Sequence, residues 1–101
     1  MKREEVTIVR IYLTEGEHRL QDLIARLHDV EKVKGLTVFR GITGFGKSGK
    51  LHSSTLLDVS FDLPLVVEFF ETPARAEQIM EHLSSDLEPG HMVFWSGAVN
   101  G

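Results

Sequence analysis

The chain contains no cysteine. That absence removes disulfides, thiol nucleophiles and thiolate metal sites, and it agrees with a reducing compartment. Basic charge is also in short supply. Eleven Lys and Arg stand against fifteen Asp and Glu, giving a net charge of −4 and a pI near 5.7. The basic residues are scattered, so there is no electrostatic footprint for nucleic acid or an anionic membrane. No apolar run approaches the ~20 residues that a membrane span needs. The charged start, Met1 to Glu5, leads into a strand-like run instead of an apolar signal segment. The expectation is a cytoplasmic protein with no nucleic-acid partner and no membrane insertion. Solenoid repeats and low-complexity segments are missing as well. What remains is the composition of a soluble globule, 42% apolar and 26% charged, with three prolines. Its 101 residues suffice for one domain, 1–101, with one two-layer core.

The elements follow from periodicity. Val6 to Leu13 is rich in β-branched and aromatic residues and reads as a strand. Thr14-Glu15-Gly16 breaks it. From His18, Leu20, Leu23, Ile24, Leu27 and Val30 recur at helical spacing, with Gly35 as the expected stop. Leu36 to Ile42 is a second strand, and Leu63 to Phe70 a third with Pro64 near its start. Thr72-Pro73 is a helix start, with a hydroxyl N-cap before a proline at the first helical position. Ala76, Ile79, Met80 and Leu83 form that helix's apolar stripe. After Glu88-Pro89-Gly90, His91 to Val99 is the fourth strand. The fold class is therefore α+β: a ferredoxin-like split β-α-β-β-α-β, with a four-stranded antiparallel sheet and two helices on one face.

The second face of that sheet should be polar, and it is not. Strand one offers Val9, Ile11 and Leu13 on one parity, and Val6 and Ile8 on the other. Strand three is apolar on both, with Leu65, Val67 and Phe69 against Val66 and Phe70. Another copy of the chain is the expected cover, hence a homo-oligomer.

Between strands two and three lie about twenty residues, roughly Thr43 to Asp62, far beyond the ~2–5 of an ordinary hairpin. The first half is glycine-rich and basic: Gly44, Gly46, Lys47, Gly49, Lys50, His52. Such a run turns backbone N–H groups toward an anion while the lysines add charge. The second half, with Leu56, Leu57, Val59 and Phe61, is apolar enough to dock on a neighbour or a partner. Ordering each residue costs ~1–2 kcal/mol, and a micromolar ligand supplies about 8. A small ligand can thus order the base of this loop, whereas its tip needs a protein surface.

Gly41 to Ser48 also matches G-x-x-x-x-G-K-[ST], the phosphate-cradling P-loop. A P-loop must open a helix, yet Gly49 follows and Lys50 to Thr55 make a poor first turn. The 53 residues after Ser48 are too few for stacked parallel βα units. A P-loop-like phosphate-handling enzyme using Gly41 to Ser48 is therefore a secondary reading.

Gly35-Leu36-Thr37-Val38 followed by Gly44-Phe45-Gly46-Lys47 resembles the strand-two and loop-base pattern of PII signalling proteins. More closely, Thr37-Val38, Arg40-Gly41-Ile42, Gly44-Phe45-Gly46 and His52, then Ser60, Asp62-Leu63-Pro64 and Val66-Val67-Glu68, resemble an uncharacterised family of PII-like proteins. The resemblance implies a homotrimer with ligand clefts between subunits and a long loop presented to a protein target. It implies that the loop base, Gly44, Gly46 and Lys47, holds the phosphates of an adenine nucleotide. The candidate ligand-binding residues are thus Gly41, Gly44, Phe45, Gly46, Lys47, Lys50, His52 and Gly90, the last from the turn before strand four. That turn departs from the PII pattern, because Ser85 to His91 carries Asp86 and Glu88 and keeps one glycine. Two carboxylates there would repel a triphosphate. The tyrosine that some PII proteins modify in the loop has no counterpart, since Tyr12 lies in strand one.

Other constellations are weaker. The five histidines, His18, His28, His52, His82 and His91, include no pair at helix-face spacing and read as surface residues, so no metal site is assigned. Asp58, Asp62, Glu68 and Glu71 have no accompanying base or nucleophile and read as solvated or capping groups. Ser53, Ser54 and Ser60 lack a nucleophile elbow. Trp95 and Phe94 read as packing. No catalytic residue emerges. The expected function is a non-catalytic PII-like regulatory protein that binds a small anionic ligand, with an adenine nucleotide as candidate. A structural or metal-tolerance trimer without a ligand is a third reading.

Overall fold

The computed structural model describes residues 1–53 and 62–101. Strand β1 spans Arg3–Thr14, longer at its N-terminal end than its apolar run, because Arg3, Glu4 and Glu5 pair with Asn100, Val99 and Ala98. A 3-10 turn, Glu15–Glu17, closes on His18 at φ 55°, so the first helix starts after His18. Helix α1 covers Leu20–Ala25 and runs on as a π-turn over Arg26–Val30. The Glu31 N–H donates to the Arg26 carbonyl (2.9 Å), and Val33 N–H to that of Leu27 (3.0 Å). Lys32, at φ 56°, reverses the chain in place of Gly35. The wider turn also changes which residue points inward. Leu27 is fully buried, but Val30 is 67% exposed, and Glu31 takes the inward position. The expectation that Val30 continues the apolar stripe fails for that reason, since a π-turn places five residues where an α-turn places four.

Strand β2, Thr37–Arg40, is followed by two short strands that sequence reasoning left inside a loop: β3, Thr43–Gly44, and β4, His52–Ser53, paired antiparallel. The expected apolar tip, Leu56 to Phe61, lies outside the described residues. Strand β5 is Pro64–Glu71, helix α2 Pro73–Ser84 and strand β6 Met92–Asn100. Thr72 occupies the N-cap position as expected, although its hydroxyl makes no capping bond. Its carbonyl accepts the Ala76 N–H at 2.8 Å.

The main sheet has the order β2-β5-β1-β6, with every neighbouring pair antiparallel. Both helices cover the same face. Val9, Ile11 and Leu13 of β1 and Leu65, Val67 and Phe69 of β5 meet Leu27 of the π-turn and Ala76, Ile79, Met80 and Leu83 of α2. This is the ferredoxin-like α+β fold that the element order predicts. A buried polar tie holds the two helical segments together. Glu31 is only 3% exposed, and both its carboxylate oxygens lie within reach of the His82 Nδ1 (3.0 and 3.1 Å). The Arg75 guanidinium donates to its backbone carbonyl and sits 3.5 Å from one carboxylate oxygen. A carboxylate that far from water needs such partners.

The opposite face carries Ile8, Tyr12, Phe39, Val66, Phe70 and Trp95, as the register requires. Phe70 is 52% and Trp95 44% exposed. In its middle Arg10 donates to Glu68 at 2.7 Å, with its guanidinium 5.5 Å from the Trp95 ring centroid and 5.9 Å from that of Phe39. The hydrogen bond that Arg10 donates to Glu68, with a smaller contribution from Tyr12, raises the Arg10 pKa.

Candidate functional site

The glycines at the loop base have local reasons to be there. Gly41 N–H donates to the Pro64 carbonyl at 2.7 Å, carrying the β2–β5 ladder one step past β2. A Cβ on Gly41 would stand 2.6 Å from Pro64 Cγ, and one on Gly44 at 3.3 Å. At Gly41 only a residue without a side chain lets the chain pass Pro64 so closely, whereas at Gly44 a Cβ would make a tight contact. The loop is also tied from its other side. Gly16 N–H donates to the Asp62 carboxylate at 2.7 Å, and Glu15 N–H to the Leu63 carbonyl at 2.9 Å. The Arg40 guanidinium grips the Glu15 carboxylate with two N–H groups, one at 3.1 Å to Oε2. That hydrogen bond holds the Glu15 carboxyl below the usual carboxylate range and raises Arg40. Two hydrogen bonds and an ion pair thus fix the root of the loop to the turn that follows β1.

From this root the small β3–β4 hairpin projects. Its turn is closed by Gly49 N–H donating to the Gly46 carbonyl at 2.9 Å, with Gly49 at φ 75°. Ser48 lies in that turn, and its hydroxyl oxygen accepts the Lys50 N–H at 3.3 Å. No helix follows Ser48; the chain passes directly into β4. The P-loop match at Gly41 to Ser48 therefore lacks the helix N-terminus on which phosphate binding in such loops rests.

Beneath the hairpin is a groove of ≈ 990 Å³. One wall is the loop base, Gly41 and Thr43 to Ser48. The floor is the end of β1, Tyr12 to Thr14, with the start of β5, Pro64 to Val66. The far wall is the turn Glu88 to His91. The turn is held to β1 by Tyr12 N–H donating to the His91 carbonyl at 2.8 Å, and Gly90 adopts φ 87° to make it. Six candidates thus converge on one space: Gly41, Gly44, Phe45, Gly46, Lys47 and Gly90. Lys50 is outside the lining. His52 pairs through its backbone with Gly44, and its side chain lies outside the described residues. Lys47 makes no ion pair among the described residues, so its ammonium is free to meet an anion. Phe45, 72% exposed, offers a flat apolar surface beside it.

Sequence reasoning missed the rest of the lining. Pro64 and Val66 belong to the family-like string but carried no site assignment, and Tyr12, Glu17 and His91 carry no motif; the fold alone brings these five to the groove. It also misplaced Asp86. The Arg26 guanidinium holds that carboxylate on the helix side of the sheet, so of the two acidic residues in the turn Glu88 alone reaches the groove. The other weighed carboxylates are engaged in structural contacts: Glu68 with Arg10, and Glu71 with the Lys34 N–H at 3.3 Å. Asp58 and Ser54 and Ser60 lie outside the described residues. Among the described residues no three metal-ligating side chains come together, and no helix is long and apolar enough to cross a membrane.

Residues 6–99 match the model of the DUF190 family, described as Uncharacterized ACR. The chain belongs to the DUF190 family. A relative from Aquifex aeolicus (strain VF5), a UPF0166 protein, is 33% identical over 81 residues, covering 80% of this chain and 79% of that protein. Among solved structures, this DUF190 chain resembles CPII from Thiomonas intermedia K12 bound to ADP and bicarbonate. The TM-score is 0.66 at 20% identity, over 97% of this chain and 89% of CPII. CPII bound to ADP, AMP and bicarbonate gives 0.68 at 19%, with the same coverage. A candidate PII-like signaling protein from Thermus thermophilus gives 0.60 at 20%, over 98% and 91%. At these identities the likeness establishes the fold, and that fold is PII-like.

Proposed function

We propose that this chain is a single-domain, non-catalytic PII-like regulatory protein of the cytoplasm, which binds a small anionic ligand in the groove under its loop. The observation that carries the reading is the convergence of Gly44, Phe45, Gly46 and Lys47, which has no ion partner among the described residues, with the Gly90 turn around one space. Backbone N–H groups and an ammonium suit a phosphate, and an exposed aromatic ring beside them suits a base. An adenine nucleotide is the first candidate, and CPII, which shares the fold, is bound to ADP, AMP and bicarbonate. The apolar face reaches the groove through Tyr12 and Val66, so a second copy laid on that face supplies a further wall. The reading therefore includes a homotrimer with a ligand cleft at each subunit contact and a loop, 43–62, offered to a protein target.

Calorimetric titration of the protein with AMP, ADP, ATP and bicarbonate tests this. Saturable binding of at least one, weakened about tenfold or more in Lys47→Ala, supports it. Heat absent across the whole panel contradicts it. Steady ATP hydrolysis abolished by Lys47→Ala would favour a phosphate-handling enzyme instead.

A further inference from the structure

The turn between α2 and β6 carries two carboxylates, and the fold sends them to opposite sides. Asp86 is bound by the Arg26 guanidinium, and its backbone carbonyl by Arg19. Both arginines and Asp86 line a separate depression of ≈ 280 Å³ on the helix side, against Leu83 and Leu87. Glu88 lies on the groove instead. Its side chain is 67% exposed, and among the described residues its ion partner is the His91 imidazole at 3.8 Å. The groove's other carboxylate, Glu17, is occupied by the Thr14 hydroxyl at 3.2 Å and by Arg19 at 3.9 Å. Among the described residues of the lining, Lys47 is the one that carries an ammonium. Lys47 thus shares the groove with two carboxylates, and Glu88 is the less compensated of the two.

An incoming phosphate gains from Lys47, but a single ammonium serves only a few oxygens. Each additional phosphate brings more charge against Glu88, and the described residues of the same chain offer no second ammonium or guanidinium on the groove to meet it. Across about 10 Å of partly hydrated groove, one added unit charge weakens binding about threefold, and two about tenfold. We infer that Glu88 limits the number of phosphates the groove accepts, favouring a nucleoside monophosphate or diphosphate over a triphosphate. This rests on the groove being a nucleotide site, as proposed above.

The test is calorimetry of the full chain with AMP, ADP and ATP, in EDTA at low ionic strength so that no cation masks the charges. Three proteins are compared: wild type, Glu88→Gln and Asp86→Asn. Glu88 is exposed, so its replacement leaves packing intact. Glu88→Gln raises the affinity for ATP relative to AMP about tenfold, with ADP between. Asp86→Asn removes an equal charge two residues away but outside the groove, and it leaves that ratio unchanged. An unaltered ratio in Glu88→Gln, or an equal change in both variants, overturns the role of Glu88 while leaving the groove as a nucleotide site. Failure of all three nucleotides to bind any of the proteins overturns the nucleotide reading itself, and this inference with it.

Discussion

The two faces of the sheet are made from alternate residues of the same strands, and they end in opposite situations. Toward the helices, Val9, Ile11, Val67 and Phe69 are sealed against Leu27, Ile79 and Leu83. One residue along, Phe70 and Trp95 remain about half exposed, and Arg10 spans the gap between Trp95 and Phe39. The described residues form two helical segments beside the sheet, enough to cover one face. The difference teaches that the closed face encodes the chain's stability, whereas the open face carries the apolar surface on which the proposed assembly rests. The groove lies where the open face runs under the loop base, so its shape depends on both.

The neighbouring pair Phe69 and Phe70 gives the sharpest test of that division. Phe69→Ala is expected to cost about 3–5 kcal/mol and to lower the melting temperature by roughly 15–20 °C, because it empties the core. Phe70→Ala should cost the isolated chain less than about 1 kcal/mol, measured by denaturant titration at low protein concentration. Equal losses from both would erase the distinction between the faces.

A charge on the open face separates association from folding. Trp95→Glu should retain the far-ultraviolet circular dichroism of the wild type while the particle mass drops to that of one chain. At the groove, Lys47→Ala should weaken nucleotide binding about tenfold or more, the loss of one charge-assisted bond, with the melting temperature of the unliganded protein nearly unchanged. The smallest expected effect is at the loop root. Glu15 is held below its ordinary carboxyl range by Arg40, so its contribution to stability is present above the unfolded value and lost as pH falls through the folded one. Glu15→Gln should therefore be slightly less stable than wild type at neutral pH, and the gap should close on acidification. A gap that widened toward acid pH would show that the ion pair has no such role.

Most of the fold was legible because it depends on local periodicity. The stripe Ala76, Ile79, Met80 and Leu83 and the alternation of Val9, Ile11 and Leu13 point inward as their spacing requires. The failures came where backbone geometry departs from the regular period. The π-turn at Arg26–Val30 exposes Val30 and buries Glu31, and no residue type announces it. At the groove, Gly41 and the contiguous part of the lining from Gly44 to Lys47 coincide with residues the sequence singled out as candidates. The parts assembled by the fold, Tyr12, Glu17 and His91, were not singled out, since each is ordinary in its own segment. The direction of Asp86 depends on Arg19 and Arg26, sixty or more residues away in sequence, a contact that only the packed helices reveal.

The comparison of the two faces stands on self-association, and light scattering at micromolar concentration tests it most directly. The predicted particle has three times the chain's 11.4 kDa. A particle of a single chain's mass, unchanged by concentration or by added nucleotide, would contradict it.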